Sequence, residues 1–148
     1  MSAAERAIVL EPNDAIAYSS LAWALAYSSQ PAQAILAAQK AERLDPLAGY
    51  ASAFAAFAAG LAYASMGRCD KAIPALKKYV AYYNVVGGRL MLTACYVELG
   101  LDTEAHAQVA EVLRINPQFS LAAQKKMSPL KGPLRERIYG DVAKAGLK

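Results

Sequence analysis

The chain has 148 residues, of which 56% are apolar and 19% are charged, and 33 of them are alanine. This composition excludes an intrinsically disordered chain, and the alanine content favours packed helices over a β-sandwich or a barrel. The net charge of +4 arises at the C-terminal end, where residues 121–148 carry seven Lys or Arg against two Asp or Glu. We interpret that end as a solvated basic segment and expect no nucleic-acid partner.

The first predicted element is the end of a truncated helix pair. Residues 3–10 have the pattern of the second helix of a pair, with the small residues Ala4 and Ala7 before Pro12. The first helix of that pair is missing. A half repeat cannot bury its inner face alone. We therefore expect residues 1–14 to be the end of a preceding repeat, in a module attached to or cut from a longer polypeptide.

Three repeats with a period of 33–34 residues are predicted next. Pro12 and Pro46 lie 34 positions apart, and the segments Leu61–Arg68 and Thr93–Leu101, 33 positions apart, each place a tyrosine four positions before a glycine. Self-similarity at this period is typical of tandem pairs of antiparallel helices. The predicted repeats are residues 15–48, 49–85 and 86–119.

Glycine, proline and alanine positions set the expected helix packing and the helix ends. A small residue at Gly60 allows two helices to approach closely. Gly67 and Gly100 are predicted to end first helices in the left-handed conformation, and Pro74 is predicted to lie in the first turn of the next helix. The second repeat is four residues longer than the period, so its first helix is predicted to begin one turn early, near Ala48.

Residues 120–148 are predicted to form a capping helix and a basic C-terminal helix. The capping helix is predicted over residues 119–127. The last helix is predicted over residues 133–145, because Leu134, Ile138 and Val142 recur every four positions and make one apolar face.

One uncharged segment is long enough to suggest a membrane span. The segment Leu47–Gly67 holds 21 residues without a charge. Alanine is its commonest residue, and Ser52, Ser65 and Gly60 dilute its apolar character further. The repeat period explains this segment better, so we expect no membrane span.

Residues for catalysis or metal binding do not form a recognisable pattern. His106 is the single histidine, Cys95 is predicted to pack inside a helix pair, and Cys69 is predicted to lie exposed in a turn. We therefore predict a protein that is not an enzyme and uses no cofactor or metal. The N-terminus lacks a signal-peptide pattern and the cysteines suggest no disulfide framework, so we expect a cytoplasmic protein.

The order of these elements resembles that of a known family. The resemblance rests on the repeats, on Leu10–Asp14 and Asn116–Leu121, and on the tail Leu134–Tyr139. The whole chain resembles a tetratricopeptide repeat (TPR) module, which implies an all-α, right-handed αα-superhelix. More narrowly, it resembles the C-terminal TPR region of bacterial class III adenylate/guanylate cyclases and of some winged-helix regulators.

The resemblance implies a protein-binding, regulatory module of a bacterial signalling protein. Nothing in the sequence resembles a cyclase catalytic domain, so any cyclase activity would belong to another part of a parent chain. Two alternatives remain open: the C-terminal region of an adenylate/guanylate cyclase, and a free-standing TPR adaptor.

In TPR modules the first helices line a concave groove, and the resemblance assigns groove positions to this chain. None of these positions holds the Lys, Arg or Asn with which chaperone-binding members clamp a terminal carboxylate. The expected occupant is therefore an apolar helix or peptide from a protein partner, from a second copy, or from residues 133–147 of the chain itself. Glu98 also takes a groove position. The predicted partner-binding residues are Ile16, Trp23, Tyr27, Phe54, Phe57, Leu61, Leu90, Met91 and Val97.

Overall fold

The chain forms nine α-helices and no β-strand in a computed structural model that describes all 148 residues. The all-α prediction is confirmed. The helices are α1 (Ala3–Leu10), α2 (Ala15–Tyr27), α3 (Pro31–Leu44), α4 (Tyr50–Ser65), α5 (Cys69–Tyr82), α6 (Val86–Glu98), α7 (Asp102–Ile115), α8 (Leu121–Met127) and α9 (Gly132–Lys144).

The six helices α2–α7 form three consecutive pairs, and the two helices of each pair pack against each other. α4 has 16 residues, whereas α2 and α6 have 13 each. The first helix of the second repeat is therefore three residues longer than the other two first helices. α4 begins at Tyr50 rather than at Ala48, whose φ of 53° places it in the left-handed region and outside the helix.

The turns inside the three pairs share one backbone geometry. Gly67 and Gly100 both have a φ of 71°, which confirms their predicted left-handed conformation, and Ser29 takes the same role with a φ of 59°. The residue after each of them donates its N–H to the carbonyl five positions earlier, at 2.9, 2.8 and 3.0 Å respectively. This is the capping bond that closes a helix C-terminus around a left-handed residue.

Two predictions about α5 are wrong. Pro74 is the sixth residue of α5 rather than part of its first turn, so the helix lacks the hydrogen bond that this residue would give to the Asp70 carbonyl. Cys69 is the first residue of α5 and is buried rather than exposed, because its side chain points inward from the helix start. Cys95 is buried, as predicted.

The chain divides into an N-terminal unit, Met1–Tyr83, and a C-terminal unit, Asn84–Lys148. In the N-terminal unit, α4 packs against α2, α3 and α5, and α1 packs against α2. A Cβ atom at Gly60 would lie 2.7 Å from both Cγ and Cδ2 of Leu76, which is fully buried. The glycine therefore permits the close approach of α4 and α5 that the sequence predicts.

In the C-terminal unit the last helix returns to the third repeat. α9 packs against α6 and also contacts α8, while α6 packs against α7. Ile138, Tyr139 and Val142 are buried on α9. The N–H of Leu121 donates to the Lys148 carbonyl at 2.8 Å, which joins the start of α8 to the chain end.

Candidate functional site

Eight aromatic side chains of the N-terminal unit form a continuous series of ring contacts. Trp23 stacks on Phe54, with ring centroids 4.3 Å apart and planes 9° apart, and on Phe57 at 4.6 Å. Phe54 stacks in turn on Tyr50 at 5.8 Å. We call the whole set the aromatic strip, and its other members are Tyr27, Tyr79, Tyr82 and Tyr83.

A hydrogen bond between helices fixes the centre of the aromatic strip. Trp23 on α2 donates its Nε1–H to the Phe54 carbonyl on α4 at 2.7 Å. Because the indole also stacks on the Phe54 ring, the contact sets both the distance and the orientation of the two helices. The central rings are therefore held in place before any partner binds.

The strip has buried and exposed members. Phe57 and Tyr79 are buried, whereas Tyr50 and Tyr82 keep 50% and 51% of their surface exposed. Trp23 is half-buried, as are Phe54 and Tyr27. The buried rings thus support an outer row of rings that solvent or a partner can reach.

No charge lies along the two helices that carry the centre of the strip. Neither α2 nor α4 contains Asp, Glu, Lys or Arg. The titratable groups of the strip are tyrosine hydroxyls. Burial raises the pKa of Tyr79, and burial is also the main cause of the raised pKa of Tyr83. The Tyr83 hydroxyl is buried without a hydrogen-bond partner. The strip therefore contains no carboxylate, ammonium or guanidinium group.

The structure separates the predicted partner-binding residues into accessible and inaccessible ones. Ile16 is 55% exposed, and Val97 is half-buried. Trp23, Tyr27 and Phe54 come together in the strip. Four predicted residues are corrected to buried positions, because neighbouring helices cover their side chains and leave little surface for a partner. These are Phe57, Leu61, Leu90 and Met91.

In the C-terminal unit, the chain's own last helix lies beside a predicted groove position. Arg137 on α9 places its Nε 2.8 Å from Oε1 of Glu98 on α6. The buried side chains Ile138 and Val142 follow on the same helix. Part of α6 is therefore already partnered by α9.

A pocket containing three carboxylates adjoins the aromatic strip at Tyr50. Its volume is about 360 Å³. It lies where α1 and α3 end and where α2 and α4 begin, and it shares Ile16 and Tyr50 with the surface described above. We call it the acidic pocket. Its lining residues are Glu11, Asn13, Asp14, Ala15, Ile16, Leu44, Asp45, Tyr50 and Ala51.

The sequence did not reveal two parts of this surface. Tyr79, Tyr82 and Tyr83 lie three and four positions apart at the end of α5, a spacing that could have indicated a shared face. Asp14 and Asp45 are 31 positions apart in the sequence, and no local pattern connects them.

Neither a metal cluster nor a membrane helix is present. No group of three or more His, Cys, Asp or Glu side chains has an arrangement that could hold a metal ion. None of the nine helices has both the length and the apolar content needed to cross a bilayer. His106 is exposed on α7.

Comparison with solved structures identifies the class of fold. The chain is similar to TTC0263, a thermophilic TPR protein of Thermus thermophilus, with 25% identity and a TM-score of 0.65 over 95% of this chain and 70% of that chain. The helix pairs therefore have a fold of the TPR type, as the resemblance implied.

More distant comparisons add no functional information. YrrB, described as a TPR protein with an unusual peptide-binding site, has 17% identity and a TM-score of 0.41 over 98% of this chain and 93% of that chain. No family model matches the sequence, and no curated protein matches it.

Proposed function

We propose that the chain is a non-catalytic protein-interaction module that binds an apolar peptide of a protein partner along the aromatic strip. The observation that carries this proposal is a row of ordered aromatic rings on helices without charge. Large exposed apolar patches on a folded protein are usually interaction sites. The strip offers no acid, base or nucleophile beyond tyrosine hydroxyls, which favours binding over catalysis.

The energetics of the rings agree with a binding role. Covering a large apolar side chain contributes about 1.5–3 kcal/mol. Trp23 and Phe54 lie at the centre of the strip, where aromatic residues tend to dominate binding free energy. Because their mutual stacking and the 2.7 Å hydrogen bond already order them, little rotamer entropy is lost when a partner binds.

The size of the strip favours a peptide over a second copy of the chain. From ordinary ring areas, its accessible apolar surface is on the order of 500 Å². A stable interface between two folded proteins needs about 800 Å² on each side. The chain's own helix α9 is a weaker candidate, because Ile138, Tyr139 and Val142 are already buried in the C-terminal unit.

The cellular setting remains a proposal based on the resemblance. A regulatory role in a bacterial signalling protein, with a cyclase-linked parent or a free-standing adaptor as alternatives, agrees with a TPR-type fold. A cytoplasmic location is part of this proposal. Identifying the domains encoded in the same gene distinguishes these alternatives, because a cyclase domain upstream would indicate the enzymatic parent.

A peptide selection tests the binding site. A random dodecapeptide library is displayed and selected on the full chain, and the binding of selected peptides is measured through the fluorescence of Trp23, the single tryptophan. Phe54→Ala should weaken binding at least tenfold. Tyr63→Ala is the matched control, because Tyr63 is a half-buried aromatic residue of the same helix outside the strip. A selection that yields no peptide, or peptides that bind Phe54→Ala unchanged, would refute the proposal.

A further inference from the structure

We propose that the segment bound along the aromatic strip is an amphipathic α-helix of the protein partner, about three turns long, and not an extended or polyproline segment. This inference rests on the proposed function and specifies the conformation and the residue pattern of the partner. It follows from the spacing of the rings, from their arrangement on α2 and α4, and from the hydrogen bonding at the centre of the strip.

Four rings of the strip form a row whose steps are close to one helical turn. The row is Tyr27, Trp23, Phe54 and Tyr50, with successive centroids 5.6, 4.3 and 5.8 Å apart. An α-helix advances about 5.4 Å per turn, which lies within this range. Residues on one face are about 6.8 Å apart in an extended strand and about 9.3 Å apart in a polyproline helix, and both spacings exceed every step. A helix therefore presents about one side chain to each ring.

The row also has the surface shape on which helices pack. Tyr27 lies four positions after Trp23 on α2, and Tyr50 lies four positions before Phe54 on α4. Side chains four positions apart form the ridges that fit into the grooves of a neighbouring helix. The two ridges meet at the stack of Trp23 on Phe54, whose planes lie 9° apart. A helix laid along the row therefore contacts both ridges.

The centre of the strip offers no free hydrogen-bonding side chain to a peptide main chain. Trp23, Phe54 and Phe57 carry one polar side-chain atom among them, the indole Nε1, and it already donates to the Phe54 carbonyl at 2.7 Å. An extended segment would bury its own N–H and C=O groups against these rings without partners, which is costly. An α-helix pairs these groups internally, so it loses little when the rings exclude water.

The geometry specifies a residue pattern for the partner. One apolar side chain for each ring requires apolar residues near positions i, i+4, i+7 and i+11 of the bound helix. The opposite face of that helix stays in water and should be polar. The two ends of the row, Tyr27 and Tyr50, should therefore contact peptide residues roughly eleven positions apart.

The first test compares matched forms of one dodecapeptide selected on the full chain. An alanine scan identifies peptide positions that do not affect affinity, and lysine and aspartate are placed four positions apart among them. Joining these two side chains by a lactam bridge should tighten binding about fivefold to tenfold relative to the unlinked peptide, because the bridge orders the helix before binding. Proline at a central position of the same face should weaken binding at least tenfold.

The second test locates peptide residues on the row by double-mutant cycles. Tyr27→Ala and Tyr50→Ala are each combined with alanine substitutions in the peptide, and circular dichroism verifies that both variants are folded. We expect the two tyrosines to couple to peptide positions about ten or eleven apart. An extended peptide would instead couple to positions about five apart, since each of its residues spans about 3.3–3.6 Å. Tyr63→Ala, outside the strip on α4, is the control and should couple to no position.

Each outcome assigns a failure to one of the two proposals. A bridged peptide that binds no more tightly than the unlinked peptide, or couplings about five positions apart, would overturn the helical partner while leaving peptide binding on the strip intact. These peptide arms need no folded variant of the protein, except in the cycles. Bridged and unlinked peptides that both bind Phe54→Ala as well as they bind the wild type would instead refute the proposed function.

Discussion

Substitution of Gly60 by alanine tests the packing that brings the helices of the N-terminal unit together. An alanine Cβ would lie 2.7 Å from both Cγ and Cδ2 of Leu76, well inside van der Waals contact. Because the branch point Cγ is involved, rotating the terminal methyl groups does not remove the clash. Leu76 is fully buried, and in a close-packed interior a displaced side chain must push its neighbours.

Two effects of opposite sign determine the expected change in stability. Overpacking a core costs about 1–3 kcal/mol, whereas replacing a helical glycine with alanine gains about 1 kcal/mol. We expect Gly60→Ala to lower the free energy of unfolding by about 1 kcal/mol, measured by urea denaturation with Trp23 fluorescence as the reporter.

The same substitution in a Leu76→Ala background is the matched control. With the leucine side chain removed, Gly60→Ala should be neutral or stabilising by up to about 1 kcal/mol, because only the gain in helix propensity remains. Gly140→Ala on α9, where an added Cβ meets nothing within 4 Å, should likewise stabilise the chain. If Gly60→Ala stabilises the otherwise unchanged chain, the close approach of α4 and α5 is not a feature of this protein.

Three further predictions concern the same unit. Ala48→Gly should stabilise the chain by about 0.5–1 kcal/mol in thermal denaturation, because a left-handed φ of 53° strains a residue with a Cβ; a loss of stability would contradict this. Phe57→Asp should unfold the N-terminal unit, because it removes a buried ring at a cost of about 3–5 kcal/mol and buries a charge, and unchanged helix content in circular dichroism would show that Phe57 is not a core residue. Burial raises the pKa of Tyr79, so its contribution to stability is fully present below the ordinary tyrosine pKa of about 10 and is lost as the pH rises through the folded-state value. In urea denaturation between neutral and alkaline pH, Tyr79→Phe should therefore lose less stability than the unchanged chain, and equal losses would contradict the assignment.

Local signals in the sequence were sufficient to predict the helices. Gly67 and Gly100 mark helix ends because a left-handed turn needs a residue without a Cβ. The insertion in the second repeat indicated a longer α4, which has three residues more than α2 and α6. Pro74 was predicted in the first turn of its helix, where a missing N–H costs little, but α5 begins five residues earlier at Cys69.

The accessible surface could not be predicted from the repeat pattern. A groove position in the repeat pattern indicates the direction of a side chain but not what packs over it. Leu61, Leu90 and Met91 were therefore expected to be accessible, whereas the structure buries them. The position of α9 against α6 depends on the backbone between Met127 and Gly132, which no periodicity specifies.

The acidic pocket also could not be predicted from the sequence. It forms because Asp14 caps the start of α2, while Asp45, the C-cap of α3, accepts the N–H of Ser52 in the first turn of α4. Asp14 alone is an ordinary N-cap, and Asp45 alone is the residue that follows α3. Their proximity exists only once α2 and α4 have packed against each other.

The most direct test of the central claim is a solution NMR measurement of a library-selected peptide bound to the full chain. Nuclear Overhauser contacts are sought between the peptide and assigned aromatic protons. The account predicts contacts to the rings of Trp23, Phe54 and Tyr50 on the aromatic strip, with no contacts to Tyr63 on the same helix. Contacts confined to Tyr63 or to the C-terminal unit would contradict it.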